Sequence, residues 1–275
     1  MRARHAIGGY REYAPIGEAA TVCEAFWTHH AGSPVVPGTV HRVLPDPAVS
    51  LAVHVQRDAE GAVIDSGVLL IGAKTRPQLF PVVAGFELAA VRLKLEWVGP
   101  MLGIDPGALD NLMLECSAIR PRLAAALAAR LGSVRSAADA LPVLARTLLD
   151  MRVSAAAPPP AATAALDLVR RSAGGLACER VAGAVGVSVR HLRRQVQDSA
   201  GLSPKAYGRA LRLVRAMQLA DAGAAPRWAD IAARTGYCDQ SHLIREAIAL
   251  GGASPAQLHA ERQAERVMSE KSNIR

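Results

Sequence analysis

Residues 231–255 read IAARTGYCDQSHLIREAIALGGASP, and residues 181–204 read VAGAVGVSVRHLRRQVQDSAGLSP. Three blocks match between these segments and keep the same order: an aliphatic residue with alanine and a later glycine, then His-Leu-x-Arg, then Gly-x-Ser-Pro. The first block recurs 50 residues later, and the other two recur 51 residues later. Three matched blocks at a nearly constant offset indicate one structural unit that the chain uses twice.

Each copy of the unit predicts a short helix, a tight turn and a second helix. Ala182 and Ala232 fall where the first helix must approach the second closely, so a small side chain is needed there. Gly186 and Gly236 fall where the chain must turn sharply, and glycine tolerates the backbone angles of such turns. This order is that of a helix-turn-helix unit, which lays its second helix in the major groove of DNA.

The starts of four helices can also be predicted. Ser188 and Asp239 are expected to be the N-caps of the second helices of the two units. Ser203 and Ser254 are each followed by a proline, which suits the first position of a helix. The chain after residue 163 is therefore expected to be entirely helical.

The charge of the chain is concentrated in its second half. Residues 1–155 hold 15 Lys/Arg and 14 Asp/Glu, whereas residues 156–275 hold 17 Lys/Arg and 10 Asp/Glu. This excess of positive charge favours a polyanionic partner. Charge alone does not separate nucleic acid from an anionic membrane, and a plain helical bundle with solvated arginines is a further alternative. The duplicated unit favours DNA.

These segments resemble the DNA-binding domain of the AraC/XylS family of transcription regulators over residues 165–258. The resemblance is carried by residues 186–194, 201–204, 236–246 and 252–255. It implies a long connecting helix, here residues 204–219, and two recognition helices that enter successive major-groove segments on one face of the duplex. A phenylalanine is usual in the family where this chain has Val196 and Ala247, and we expect Ile244, Ile248 and Leu250 to compensate.

The resemblance also implies which residues read DNA. The base-reading candidates are Arg190, Arg193 and Arg194 in the first unit, and Gln240, Ser241 and Arg245 in the second. Arginine suits guanine and glutamine suits adenine, so the first unit is expected to supply most of the affinity and the second to be the weaker or more discriminating reader. The phosphate-contact candidates are Ser188, His191, Ser203, Lys205, His242 and Ser254. Arg209, Arg212 and Arg215 are expected to form mostly a solvated face of the long helix.

The N-terminal half has a different pattern. Residues 40–44, 51–55, 67–71 and 86–95 have strand character, and leucines recur at helical spacing after residue 121. We therefore predict an α+β domain, with strands followed by helices, joined to an all-α DNA-binding domain with two helix-turn-helix units. The predicted boundaries are a sensor or association domain at 1–154, a proline-rich linker at 155–163, the DNA-binding domain at 164–265 and a disordered tail at 266–275.

The N-terminal half is also similar to a less studied sensor-type domain found on some of these regulators. The similarity is carried by residues 10–13, 26–27, 41–46 and 91–93. The usual form continues Leu-Pro-Asp with a glycine and a second acidic residue, where this chain has Pro47 and Ser50, so a ligand read there is expected to be altered or lost. Phe26, Trp27 and Trp97 are candidate walls of a pocket, with core packing as the alternative.

Chemistry in the N-terminal half has little support from the sequence. The cysteines stand alone, so a DNA-repair methyltransferase fused to a regulator, which needs a Pro-Cys-His setting and a zinc-binding cysteine cluster, is a disfavoured alternative. His41 and His54 could share one sheet, but their spacing matches no standard metal site. We expect no enzyme activity, no cofactor and no metal.

The expected partner is promoter or operator DNA, in the cytoplasm and away from any membrane. A small-molecule effector, a homodimer and, for an activator, RNA polymerase are the further partners considered. The alternative for the N-terminal domain is that it binds no ligand and only mediates association.

Overall fold

The structure is a computed structural model that describes residues 3–7, 9–31, 35, 38–132, 134, 136–223 and 225–272. For residues 3–7 and 267–272 it describes the backbone only. Within these ranges the chain forms strands up to residue 115 and helices from residue 95 onward. The predicted order of strands followed by helices, with an all-helical C-terminal part, is confirmed.

Nine strands are described in the N-terminal half. They are β1 (Ala3–Ile7), β2 (Tyr10–Tyr13), β3 (Cys23–His30), β4 (Val40–Val43), β5 (Val49–Arg57), β6 (Val63–Ile71), β7 (Gln78–Pro81), β8 (Phe86–Leu93) and β9 (Met113–Glu115). Seven of them form one antiparallel sheet in the order β1-β2-β3-β8-β5-β6-β9, and β4 pairs with β7 in a separate two-stranded sheet.

Eleven α-helices are described. They are α1 (Leu95–Leu102), α2 (Cys116–Ile119), α3 (Pro121–Leu131), α4 (Ala140–Ser154), α5 (Pro160–Arg171), α6 (Cys178–Ala184), α7 (Val189–Ala200), α8 (Pro204–Asp221), α9 (Trp228–Arg234), α10 (Gln240–Gly251) and α11 (Pro255–Ser272). Short 3-10 turns occur at Gly17–Thr21, Pro106–Leu109 and Ala137–Asp139.

The central strands are buried on both faces. Leu51, Ala89 and Val91 lie on one face and belong to the main core, whereas Ala52 and Ala90 lie on the other face in a smaller apolar cluster. The alternation of side chains along a strand puts successive residues on opposite faces. The central strands β5 and β8 consequently read as nearly continuous apolar runs, which is why the sequence predicted them.

Two details of the N-terminal half differ from prediction. The strand expected to reach residue 95 ends at Leu93, and α1 begins at Leu95. His41 lies in β4 and His54 in β5, so the expectation that they could share one sheet is wrong. The pairing of β4 with β7, rather than with the large sheet, is a long-range choice that local strand character does not encode.

The predicted linker is shorter in the structure. Helix α5 begins at Pro160, inside the predicted range 155–163, so only residues 155–159 connect it to α4. A proline cannot continue a preceding helix but fits the first turn of a new one. The tail predicted to be disordered at 266–275 is helical as far as Ser272, and residues 273–275 lie outside the described residues.

The N-terminal half and the first helix-turn-helix unit share one hydrophobic core. Leu166 and Val169 of α5, with Leu192 and Val196 of α7, belong to the same buried cluster as the central strands. The second unit has a separate cluster around Leu243. The two halves of the chain therefore pack directly against each other at the first unit.

A buried arginine crosses this junction. Arg170 of α5 pairs with Glu24 of β3 at 2.6 Å and with Glu96 of α1 at 3.0 Å. Tyr207 of α8 donates a hydrogen bond to Glu24 at 3.4 Å. Glu96 is only 2 % exposed, so its charge depends on Arg170 for compensation. Breaking a buried pair leaves such a charge uncompensated, which is strongly destabilising.

We expect Arg170→Met to lower the free energy of unfolding by about 3 kcal/mol, because Glu96 would remain buried without its partner. Arg171→Met is the matched control: Arg171 is 78 % exposed and pairs only with Asp167 on the same helix, so we expect a loss below about 1 kcal/mol. Urea denaturation of both variants measures the difference. Equal losses would contradict the assignment of Arg170 as the charge that stabilises the junction.

Candidate nucleic-acid interface

The two predicted turns have the expected geometry. Gly186 and Gly236 adopt φ values of +70° and +76°, which are left-handed and favour glycine. Ala182 and Ala232 are 1 % and 0 % exposed, so each first helix contacts its neighbours through a methyl group. In each unit the residue after the glycine donates its backbone N–H to the alanine carbonyl. The helix-turn-helix geometry predicted from the repeat is confirmed for both units.

The starts of the helices are also confirmed. Ser188 and Asp239 cap α7 and α10, and their side chains accept hydrogen bonds from the backbone N–H groups of His191 and His242. Ser203 caps α8 in the same way, and the Ser254 hydroxyl accepts a hydrogen bond from Gln257 at the start of α11. These side chains satisfy backbone donors that have no partner inside the helix. The caps fix where each recognition helix begins.

The positions that usually hold phenylalanine are buried. Val196 is 1 % exposed and Ala247 is 0 % exposed. Leu250 belongs to the core of the second unit, but Ile248 is 51 % exposed and so cannot fill space beside Ala247. Met217 and Tyr237 contribute bulk to that core. The expected compensation by Ile248 is therefore wrong.

All six base-reading candidates are exposed on the recognition helices. They are Arg190, Arg193 and Arg194 on α7, and Gln240, Ser241 and Arg245 on or at the start of α10. Arg194 donates a hydrogen bond to His191 at 3.1 Å. Within the described ranges, no carboxylate forms an ion pair with any of these four arginines. Their charges remain available to an external partner.

The phosphate-contact candidates lie near the helix starts. Ser188 and Lys205 are exposed, while Ser203 and Ser254 are half-buried. His191 and His242 are half-buried. In the second unit the His242 and Tyr237 rings pack edge to face, with their centroids 5.3 Å apart. Helix N-termini of this kind can bind anions.

The long helix differs from prediction. Arg209 forms two hydrogen bonds with Glu246 of α10, at 2.7 and 3.0 Å, and Arg212 donates to the carbonyl of Gly174 at 2.7 Å. Of the three arginines Arg209, Arg212 and Arg215, only Arg215 is exposed. The expectation that these three arginines form a solvated face is therefore wrong for two of them, because tertiary contacts take up their side chains.

The pairing of Glu246 matters for the charge of the second recognition helix. Partial burial is the largest single influence and acts to raise the pKa of Glu246. The hydrogen bonds from Arg209, together with the charges of Arg209, His242 and Arg212, outweigh it and hold that pKa below its ordinary value. The acid is thus ionised and neutralised inside the fold. Arg245, which directly precedes Glu246 in α10, is left as an exposed cation.

Residues 181–261 match a family model described as a helix-turn-helix domain. This is the range that holds both duplicated units, with their glycine turns and exposed arginines. These residues form an AraC-type DNA-binding domain. The chain is accordingly a DNA-binding transcription regulator with a strand-rich N-terminal half. No curated protein matches the chain.

Several solved structures are similar to parts of this chain. The C-terminal domain of AraT, a response regulator from Geobacillus stearothermophilus, is 26 % identical over 38 % of this chain and 87 % of that one, with a TM-score of 0.35. An AraC-type regulator from Chromobacterium violaceum is 28 % identical over 38 % and 92 %, with a TM-score of 0.34. ToxT from Vibrio cholerae O395 is 10 % identical over 86 % and 98 %, with a TM-score of 0.45.

The motifs singled out in the N-terminal half of the regulator meet in one polar cluster. Arg92 of β8 contacts Glu12 at 2.7 Å, Asp46 at 2.8 Å and the hydroxyl of Tyr10 at 3.2 Å. Three residues from two separate motifs therefore contact the guanidinium of Arg92, which belongs to a third motif. Ser50, a position where the chain departs from the usual pattern, is 3 % exposed and accepts a hydrogen bond from the Trp27 indole instead.

This cluster lines a cleft of about 1020 Å³ between the sheet and the DNA-binding domain. Its far wall is formed by α5, α8 and α11, with Arg170, Arg215 and Arg262. His29 also lines it, and burial, together with the nearby His41 and His30, lowers the pKa of His29 to about 4. That imidazole is neutral at pH 7. Sequence reasoning missed the cleft, because no local signal brings β2, β8 and α8 together.

The aromatic wall candidates do not line this cleft. Phe26 is 4 % exposed in the main core, Trp27 packs against the smaller cluster, and Trp97 packs against the main core. The alternative of core packing is the one that the structure shows.

The thiols of the N-terminal half are poorly suited to methyl transfer. Burial raises the pKa of Cys23 to about 12, and burial also raises the pKa of Cys116. The thiolate is the nucleophilic form of cysteine, so these sites disfavour the methyltransferase alternative. No cluster of three or more candidate metal ligands occurs among the described residues. No described helix is long and apolar enough to span a membrane.

The cap of the second recognition helix can be tested by two substitutions of one residue. We expect Asp239→Ala to lower the free energy of unfolding by about 1 kcal/mol, because the backbone N–H of His242 loses its acceptor. Asp239→Ser keeps a capping oxygen, so we expect a change of only a few tenths of a kcal/mol. Chemical denaturation followed by circular dichroism measures both. A similar loss in the serine variant would show that the negative charge, rather than the cap, stabilises α10.

Proposed function

We propose that this regulator binds a bipartite DNA site and reads its sequence through α7 and α10. The observation that carries the proposal is the exposure of Arg190, Arg193, Arg194 and Arg245 on the two recognition helices, where none of them forms an ion pair with a described carboxylate. The guanidinium fork matches the O6 and N7 acceptors of guanine. Gln240 and Ser241 at the start of α10 add donors and acceptors that suit adenine or either base.

The two helices carry different chemistry, and this supports unequal roles. Three arginines on α7 contribute charge as well as base contacts, so the first unit supplies most of the affinity. The second unit has one arginine with two neutral polar residues, so it discriminates more than it attracts. The phosphate contacts are assigned to Lys205, to the serine caps and to the two histidines, which position the protein without reading sequence.

We expect Arg194→Ala and Arg245→Ala each to relax the preference at one base pair, at a cost of about 1–3 kcal/mol on the preferred duplex. Sites selected by the purified protein from a random DNA pool, followed by binding titrations on single-base variants, measure this. Unchanged preference in both variants would show that these arginines do not contact bases.

Lys205→Ala is the matched control, because it also removes one exposed positive charge. We expect it to weaken binding to all duplexes alike and to lower the slope of log K against log[salt] by about 1. A sequence-dependent effect of Lys205→Ala would contradict its assignment to phosphate.

A second proposal concerns the cleft. A small-molecule effector held there contacts the N-terminal sheet and the DNA-binding domain at once, so its binding favours one arrangement of the two. Most cations of the cleft are already paired: Arg92 with Glu12 and Asp46, Arg170 with Glu24 and Glu96, and Arg262 with Asp221. Within the described ranges, Lys94 and Arg215 line the cleft with no side-chain partner. These two cations favour a small organic acid as the effector.

We expect an organic acid that binds the cleft to raise the melting temperature, by an amount corresponding to about 2.7 kcal/mol at a hundredfold excess over Kd. A panel of small organic acids, each compared with its neutral amide, is screened by thermal melting. The shift is expected to vanish in Lys94→Met and to persist in Arg171→Met, which removes a cation outside the cleft. If no acid shifts the melting temperature, the alternative of an N-terminal domain that only mediates association is favoured.

The remaining partners stay predictions from the sequence. They are a homodimer and, for an activator, RNA polymerase. A protein that acts on promoter DNA is expected to work in the cytoplasm.

A further inference from the structure

Arg209 and Arg212, one turn apart on α8, contact the elements that α8 connects. Arg212 donates a hydrogen bond to the carbonyl oxygen of Gly174, which follows α5, the helix that packs against α7 and completes the core around the first unit. The same guanidinium lies 5.5 Å from the centroid of the Tyr237 ring, in the turn of the second unit. One side chain thus touches both units.

The contact with the first unit depends on close packing. A Cβ atom on Gly174 would lie 2.0 Å from the carbonyl oxygen of Gly208 on α8, so no larger residue fits there. Because the end of α5 lies directly against α8, the Gly174 carbonyl is within reach of Arg212. The Tyr237 ring, 4 % exposed, is equally fixed by the core of the second unit.

Arg209 fixes the second recognition helix itself. Its forked pair with Glu246 joins α8 to the middle of α10. Two parallel charge-assisted hydrogen bonds specify orientation as well as adding energy. Successive residues of a helix point about 100° apart, so the inward direction of Glu246 leaves Arg245 pointing away from α8. The pair therefore sets the rotation of α10 about its axis.

The cost of Arg212 argues for a role beyond stability. Its Nε atom and the Tyr237 hydroxyl are buried, and neither has a hydrogen-bond partner in the described structure. Buried polar groups without partners lower stability, and an apolar side chain would avoid this cost. A buried cation retained in spite of such a cost is best attested where it sets a register or an orientation.

We propose that Arg209 and Arg212 are positioning residues that hold α7 and α10 at one separation and angle, and so select the spacing between the two half-sites of the target DNA. The proposal rests on the proposed function, in which both helices read DNA. Arg215 is the natural comparison: it lies three residues further along the same helix, carries the same charge, is exposed and contacts neither unit through a described hydrogen bond or ion pair.

The test uses the full-length protein and the bipartite site that it selects from a random DNA pool. Duplexes carry the two half-sites at the selected spacing and with one or two base pairs inserted or removed, and a further duplex has one half-site scrambled. Wild type is expected to prefer one spacing. Arg209→Ala and Arg212→Ala are expected to bind the preferred spacing roughly ten-fold more weakly. In these variants the binding of one recognition helix no longer places the other helix at its half-site. Their affinity for the other spacings and for the single half-site is expected to equal that of Arg215→Ala.

Two more variants separate orientation from charge and from folding. Arg209→Lys keeps the charge but loses the fork, and Arg212→Lys loses the planar contact with Tyr237. Both are expected to restore the salt dependence of wild type while the spacing profile stays flattened, and they carry the test if an alanine variant fails to fold.

Three results decide the matter against the proposal. Alanine and lysine variants that keep the wild-type spacing profile overturn it. So does a uniform loss on every duplex that matches Arg215→Ala, since removal of any one positive charge would produce it without a change in spacing preference. A wild-type protein that enriches no bipartite site overturns the proposed function as well, before any variant is compared.

Discussion

The close approach of two helices at Ala182, repeated at Ala232, is the constraint on which the DNA-binding half depends. A methyl group at each crossing lets the first helix lie against the second, and a left-handed glycine four residues later turns the chain. The capping side chain then starts the recognition helix at a fixed residue. Because these three steps are local, each unit forms its own turn and begins its recognition helix at a fixed residue.

The arrangement of the two units depends on longer-range contacts. The first unit shares its core with the N-terminal sheet, where Arg170 compensates two buried carboxylates. The second unit has its own core, and it meets the N-terminal half through Arg42 of β4, which pairs with Glu261 of α11 at 2.8 Å. The cleft lies between these two attachments. These two attachments support the proposal that an effector bound in the cleft acts on both recognition helices.

The structure also explains why arginines of similar spacing serve different purposes. Those on α7 form no ion pair with a described carboxylate and stay exposed, whereas Arg209 and Arg212 on α8 meet Glu246 and the Gly174 carbonyl. On both helices the arginines recur at a spacing that is typical of one helix face. What differs is the element packed against each helix, and that is a tertiary property. The same reason separates Leu250, which enters the core, from Ile248, which stays exposed.

The sequence by itself determined the duplicated helix-turn-helix units, their caps, their turns and four of the nine described strands of the N-terminal half. These features follow from local rules: glycine at left-handed positions, serine or aspartate at helix starts, and apolar runs along the strands. Only the tertiary structure decided the pairing of β4 with β7, the start of α5 inside the predicted linker, the gathering of Tyr10, Glu12, Asp46 and Arg92, and the inward course of Arg209 and Arg212. Each of these features depends on which distant element packs against the segment concerned. That packing is determined by residues throughout the core and not by any one segment of the sequence.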